Sequence, residues 1–257
     1  MRLNIVFMGK DKPVVGKALL HLCRGHDHNI KAVVTPDGSE PHELSKELGL
    51  PAYNQNSIYG ALASLGDVDL VVSFLYWRKI RSSLISLPRL GCINFHPAPL
   101  PEYRGVGGYA SAILHDKQEF GVTVHHVNER FDEGDLIEVS RFPIDCTKQT
   151  AYSLEKKTME ALYERFASLM SALTDPNYVF PRIPQGEGTY TDIPTRETWK
   201  KVTALDSPKD IDRKIRAFWF PPYTGAQIER DGVSYTLVND FILRDLANAL
   251  KQSSSQR

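Results

Sequence analysis

Up to Phe74, short apolar runs alternate with stretches of helical spacing, and few folds accept that rhythm. Leu3 to Gly9 is an apolar run ending in glycine, and Val14 to Leu22 carries Val15, Leu19 and Leu22 at helical spacing. Ile30 to Val34 predicts a second strand, stopped by the turn signal Thr35-Pro36-Asp37-Gly38. Pro41 to Leu48 predicts a helix ended by Gly49, Ser57 to Leu65 predicts another, and Val68 to Phe74 is an apolar strand. Strands alternating with helices make a parallel sheet joined by right-handed crossovers. The class is therefore α/β, with a Rossmann-like, mostly parallel sheet. No dinucleotide fingerprint accompanies it: Gly9 is followed by Lys10-Asp11-Lys12-Pro13 rather than G-x-G-x-x-G, and no P-loop pattern occurs. The turn at Gly9 and Lys10 either receives part of a substrate, since glycine lets a ligand approach the backbone, or is a plain connection.

The next stretch, Gly91 to Gly105, reads GCINFHPAPLPEYRG. A strand has a side-chain period of two, so Asn94 and His96 project from one face and Phe95 from the other. Pro97, Pro99 and Pro101 end the strand because proline has no N–H for a ladder. An amide and an imidazole thus sit at the C-terminal end of a strand, where ligands bind in open α/β sheets. An isolated Asn-x-His is more commonly a pair of satisfied polar residues, but this one has company. The segment resembles the signature of the 10-formyltetrahydrofolate-dependent formyltransferases, N-x-H-P followed by L-P-x-Y-R-G. Here that is Asn94, His96 and Pro97, then Leu100, Pro101, Tyr103, Arg104 and Gly105. It departs twice: Ala98-Pro99 replaces a Ser-Leu pair common in the family, and Val106 stands where some members acting on nucleotide sugars carry an arginine. Both departures bear on the acceptor and leave the chemistry intact.

Two further stretches carry the resemblance. Gly121 to Val127 alternates as a strand; His125 and His126 face opposite sides and cannot chelate one ion together, and His126 shares its face with Val122 and Val124, as a packed residue would. The strand runs into Asn128-Glu129-Arg130-Phe131-Asp132-Glu133-Gly134-Asp135, by itself an ordinary acidic turn, but similar to the family loop that carries an essential aspartate before Gly-Asp. The match puts that role on Asp132. After the Val68–Phe74 strand, Trp77, Arg78, Lys79 and Ile80 resemble the loop that borders the pterin of the folate, and Asn128, Glu129, Arg130 and Phe131 would border it from the other side.

The resemblance implies transfer of a formyl group from 10-formyltetrahydrofolate, a co-substrate, to a primary amine. Asn94 would donate to the developing oxyanion, His96 would stabilise that charge and move protons, and Asp132 would hold the imidazole and favour its charged form. No metal and no covalent nucleophile are expected: the cysteines are scattered, C-x-x-C and G-x-S-x-G are missing, and Cys92 reads as a core thiol.

Past Ile137 to Ile144, a strand, Thr150 caps a long amphipathic helix reaching about Leu173, with Met159, Leu162, Phe166 and Leu169 on one stripe. Pro176 to Pro194 is rich in Pro and Gly and reads as a linker, within which Gln185 and Thr189-Tyr190 resemble a short element of the methionyl-tRNA formyltransferases. Ser207-Pro208 is a helix start, Ile211, Ile215 and Phe218 give that helix an apolar stripe, and Asp231-Gly232 centres a hairpin. The organisation expected is a catalytic domain over 1–175, a linker over 176–206 and a small helix-and-hairpin region over 207–257, about half the family's usual C-terminal domain. Lys251 to Arg257 reads as a frayed tail.

Charge narrows the partners. Among 257 residues, 31 are Lys or Arg and 31 Asp or Glu, so the basic excess of a nucleic-acid binder is missing. The apolar run Leu3–Met8 is too short for a signal or membrane segment, so a cytoplasmic protein is expected. An amino sugar carried on a nucleotide, of the kind destined for lipopolysaccharide O-antigen, is the acceptor these features favour. Methionyl-tRNA, an amino-acid amine such as hydroxyornithine, or water, as in a 10-formyltetrahydrofolate hydrolase, are the alternatives. Gly9, Lys10, Tyr103, Arg104, Trp219 and Tyr223 are the candidate acceptor contacts. The aromatic surface around Trp219, Tyr223 and Tyr235 predicts a homodimer built on the C-terminal part.

Overall fold

Seven strands form the sheet that the alternation predicts, in a computed structural model that describes residues 2–25, 28–244 and 246–247. The segment Lys251–Arg257, expected to fray, lies outside the described residues. In chain order the strands are β1 (Asn4–Gly9), β2 (Asn29–Val34), β3 (Ala52–Tyr53), β4 (Leu70–Phe74), β5 (Cys92–His96), β6 (Arg104–Gly105), β7 (Glu119–His126), β8 (Leu136–Pro143), β9 (Tyr190–Thr191), β10 (Gln227–Arg230) and β11 (Val233–Thr236). The helices are α1 (Pro13–Gly25), α2 (Glu40–Glu47), α3 (Ile58–Ala61), α4 (Ser82–Ile85), α5 (Gly108–Leu114), α6 (Ala151–Ala172), α7 (Ile193–Trp199) and α8 (Pro208–Phe218). The large sheet runs β3-β2-β1-β4-β5-β7-β8; β1 to β5 pair in parallel, and β7 is antiparallel to β5.

The chain divides into two compact units: the first holds Met1–Arg104, Gly121–Arg141 and Thr158–Thr189, the second Gly105–Phe120, Phe142–Lys157 and Tyr190–Arg257. Packing in the first unit explains why β1, β4 and β5 are nearly continuous apolar runs. One face of the sheet, with Phe74, Ile93, Phe95, Val122 and Val124, packs against the α6 stripe of Leu162, Phe166 and Leu169. Phe166 sits edge-on to both Phe74 and Phe95 with ring centroids 5.3 Å apart in each pair, the geometry that aromatic quadrupoles favour. The opposite face buries Val6, Met8, Val71 and Cys92. Burial pushes the Cys92 thiol far above its ordinary range, which keeps it an inert core group.

In the second unit Ser207 caps α8, its hydroxyl accepting from the Asp210 N–H, with Pro208 in the first turn. Buried Arg216 of α8 ties down the segment before α6, donating to the Cys146 and Gln149 carbonyls while pairing with Asp212. Val202, Ile215, Ala226 and Ile242 make a small separate core. Asp231 and Gly232 adopt φ of 50° and 76°, the backbone that a type I′ hairpin needs.

Two stretches differ from the sequence reading. Ser57 to Leu65 is one short α-turn followed by a 3₁₀ turn, Leu62–Ser64, with Gly60 weakening the helix interior. The stretch read as a linker holds α7, whose start Asp192-Ile193-Pro194 is an N-cap with proline in the first turn; the Asp192 carboxylate accepts from the Thr195 N–H.

Candidate functional site

On β5 the odd residues Ile93 and Phe95 face α6, so the even ones, Cys92, Asn94 and His96, share the opposite face. That face is apolar at Cys92 and turns polar where the strand ends. The register then determines the neighbours of Asn94, with Ser73 of β4 on one side and His125 of β7 on the other. Side chains directly opposite on paired strands are within reach, and here they hydrogen-bond in a row. The Ser73 hydroxyl donates to Asn94 Oδ1 at 2.7 Å, and Asn94 Nδ2 lies 3.0 Å from His125 Nε2. His125 Nδ1 is 2.8 Å from the His126 carbonyl. A carbonyl only accepts, so His125 carries its proton on Nδ1 and its Nε2 accepts from Asn94. The row fixes which way the Asn94 amide points and uses one of its two N–H donors. Its second N–H has no partner among the described residues.

His96 is anchored from the loop that follows. Its Nε2 donates to the Tyr103 carbonyl at 2.9 Å, which leaves Nδ1 facing Asp132 Oδ1 at 3.6 Å. His125 Nε2 is also 3.6 Å from the same oxygen. Burial pushes His96 below its ordinary range, Asp132 draws it partly back, and His125 and Lys10 lower it further. A neutral imidazole results, one that would take its proton on Nδ1, beside a carboxylate. The segment between His96 and Tyr103 is held by Thr123, whose hydroxyl donates to the Ala98 carbonyl at 2.8 Å and accepts from the Leu100 N–H at 2.9 Å.

Asp132 sits on a loop in the left-handed region, φ 56°, which aspartate tolerates better than most residues. Gly134 follows because a Cβ there would collide with the His126 carbonyl. The turn is held from outside by Gln185. Its Nε2 donates to the Asp132 and Gly134 carbonyls at 2.9 and 2.6 Å, while its Oε1 accepts from Arg104 at 3.0 and 3.3 Å. Arg104 also donates to the Gly186 carbonyl. The segment carrying Gln185 is laced into the same unit at both ends: Ile183 and Leu136 exchange backbone hydrogen bonds, and the Arg104 N–H donates to the Thr189 carbonyl.

Asn94, His125 and Asp132 line one cavity together with Arg78, Lys79 and Ile80 from one loop, and Asn128, Glu129, Arg130 and Phe131 from the other. The residues the sequence marked on either side of a folate are thus brought to one place, except Trp77, which lines the neighbouring cavity. Gly9 has a packing reason of its own, since a Cβ would run into the Val15 side chain and the Phe74 carbonyl. Lys10 is close enough to His96 to depress its basicity. Tyr103 and Arg104 serve through the contacts above. Trp219 and Tyr223 belong to the second unit, where Trp219 packs on the small core and Tyr223 is exposed. His126 packs on Phe180, its Nε2 donating to the Pro181 carbonyl. Ser73, His125 and Gln185 were not marked as site residues by the sequence. The only signal for His125 was its phase, alternate to Val122 and Val124 on β7, and Ser73 inside the apolar run of β4 gave none.

Comparison with known proteins finds relatives for the chain and for its fold. The sequence profile described as Formyl transferase matches residues 3–169. GDP-perosamine N-formyltransferase of Brucella melitensis is 29% identical over 190 residues, covering 72% of this chain and 70% of that protein. Methionyl-tRNA formyltransferase of Legionella pneumophila is 29% identical over 259 residues, covering 94% and 77%. The crystal structure of a 4-N formyltransferase from Francisella tularensis superposes with a TM-score of 0.78 at 18% identity, over 93% of this chain and 98% of that one, a likeness of fold.

Proposed function

The chain belongs to the formyl transferase family, and from that premise we propose that it formylates the primary amine of a nucleotide-linked amino sugar with 10-formyltetrahydrofolate as co-substrate. The observation that carries the chemistry is the locked amide of Asn94. Ser73 and His125 hold it so that one N–H is left to donate at the wall of the cavity. The amine nitrogen attacks the formyl carbon, and the carbonyl oxygen gains charge that this N–H stabilises. Neutral His96 takes the proton from the attacking nitrogen on Nδ1, beside Asp132, and returns it to N10 of the folate as the C–N10 bond breaks. One C–N bond forms, one breaks, and no proton is gained or lost overall.

The choice of acceptor is supported by the GDP-perosamine relative and by the charge balance of 31 against 31. A tRNA would need several Lys and Arg contacts to phosphate. The fuller reading is a cytoplasmic homodimer that works on sugars bound for O-antigen. Among the described residues no helix is long and apolar enough to cross a membrane, and Tyr223, Val233, Tyr235 and Phe241 are exposed in the second unit, available to a second copy. Light scattering on the full chain should give twice the monomer mass; a monomer at high micromolar concentration would reject the dimer.

The acceptor is tested by following tetrahydrofolate release spectrophotometrically with each amine in turn. A nucleoside-diphosphate-linked 4-amino-4,6-dideoxyhexose should be turned over and methionyl-tRNA should not. Efficient turnover of methionyl-tRNA would overturn the acceptor, and equal release without any amine would make the protein a hydrolase.

A further inference from the structure

Two imidazoles stand against one carboxylate oxygen. Asp132 Oδ1 is 3.6 Å from His96 Nδ1 and 3.6 Å from His125 Nε2, and the two buried rings meet edge to face with centroids 6.3 Å apart. Formyl transfer uses His96 to carry a proton. It uses His125 only as an acceptor, because Nε2 of that ring takes a hydrogen bond from the Asn94 amide at 3.0 Å. A second proton on His125 would end that role. Its Nδ1–H is already held by the His126 carbonyl at 2.8 Å, so the new proton goes to Nε2 and sets N–H against N–H across 3.0 Å. One partner must turn. Turning the ring gives up the His126 carbonyl inside a buried site, where a lost hydrogen bond is costly. Turning the Asn94 amide leaves every partner satisfied. Its last torsion is two-fold, Oδ1 then accepts from His125, and Nδ2 meets the Ser73 hydroxyl, which accepts as well as donates. The turn exchanges nitrogen for oxygen, so a lone pair replaces the N–H that faced the oxyanion.

From this geometry we infer that His125 is a positioning residue worked by a proton: neutral, it holds the Asn94 amide with an N–H toward the cavity, and protonated, it reverses the amide and turns the site off. The inference rests on reading Asn94 as the donor to the oxyanion and deepens that reading. His125 lines the cavity, which gives a proton its way in. The groups around the ring are Asn94 and His96 from β5, Ser73 of β4 beyond Asn94, His126 on its own strand and Asp132 from the loop. Of the charged side chains, Arg78, Lys79, Glu129 and Arg130 line the same cavity, and Lys10 acts on His96. A charged His125 also lowers His96, so the site can be off while His96 is still neutral. Acid therefore disables the enzyme by two routes, a proton on the base or a proton on the residue that aims the donor.

The test is nuclear magnetic resonance of the full-length, ligand-free protein labelled with 15N-asparagine, the Asn94 side-chain signal being assigned by its loss in Asn94→Ala. At mildly basic pH the amide protons should show Overhauser contacts to the His125 ring. As pH falls these should give way to contacts with the Ser73 β-hydrogens. An amide that stays beside His125 through the acid limb of activity would overturn the inference. The kinetic arm uses His125→Gln, which offers Asn94 an amide oxygen as acceptor and does not titrate. Its acid limb of kcat, with a nucleoside-diphosphate-linked 4-amino-4,6-dideoxyhexose as acceptor, should lie at lower pH than that of the wild-type protein. On that limb it should keep at least about twice the wild-type fraction of its plateau, since one of two inactivating protonations is gone. A limb that stays in place or moves up would overturn the inference. Should His125→Gln fail to fold, the wild-type spectrum alone decides. Normal turnover with an amide that never turns rejects the switch and leaves the formyltransferase reading standing. If no amine is turned over at any pH, that reading and the switch fall together.

Discussion

The two sides of the site are built by different means. Ser73, Asn94 and His125 stand on three adjacent strands, and their contacts follow from register alone. Asp132 stands on a loop at positive φ, where Gln185, more than fifty residues later in the chain, holds its carbonyl. The sheet supplies a donor that cannot move without moving the core. The loop supplies a charge whose position depends on a few side-chain hydrogen bonds. Remote substitutions should therefore damage the second side more than the first.

The largest effect lies on the sheet side, where the donor itself is removed. Asn94→Ala should lower kcat about a hundred- to a thousandfold with a native circular dichroism spectrum. Turnover within threefold of wild type would remove Asn94 from the chemistry. Next comes the loop. Gln185→Ala removes one hydrogen-bond partner from each of the Asp132 and Gly134 carbonyls and from Arg104, and lets the carboxylate shift. Misplacement by about 1 Å costs around a hundredfold, and the loss should fall on kcat more than on KM. Ser73→Ala, the matching change on the sheet, removes one hydrogen bond from an amide that β5 and His125 still hold, so about tenfold is the expected limit. If Ser73→Ala proves worse than Gln185→Ala, the contrast between sheet and loop is wrong.

The smallest effect is a shift in pH dependence. His96 must be neutral to accept a proton, and burial holds it below its ordinary range, so activity should rise with pH through a value below about 6.5 and then level off. Asp132 is the contact that raises His96 most. Asp132→Asn, which keeps a residue suited to positive φ, should move the acid limb to still lower pH while reducing kcat. A limb that moves upward would contradict the arrangement. Stability has the same sign: the unfolded chain protonates His96 more readily than the folded one, so stability contributed by neutral His96 is lost as pH falls through about 6.5.

The sequence revealed the sheet side in part and the loop side by likeness only. Asn94 and His96 were visible because a period of two and three prolines are local facts. Their partners were not, since Ser73 is 21 residues from Asn94 and His125 is 31, and register between strands is a property of the folded sheet. Asp132 by itself is an acidic turn; a family pattern was needed to single it out. Gln185 lay in a Pro/Gly-rich stretch, where composition suggested a connection and hid a brace. The same stretch hid α7, although Asp192 before Ile193-Pro194 carries a helix-start signal.

The segment holding Gln185 is secured by Ile183 against Leu136 and by Thr189 against Arg104, and between them Gln185 grips the Asp132 turn. Gln185 lies in the chain between these two pairs, so the contacts are expected to form and break as a group. In hydrogen exchange the amides of Leu136, Ile183 and Arg104 should then share one opening free energy, set apart from the higher protection of β4 and β5. The site would have a single local unfolding unit, and whatever stabilises that unit would reduce the fraction of time in which Asp132 is out of register with His96.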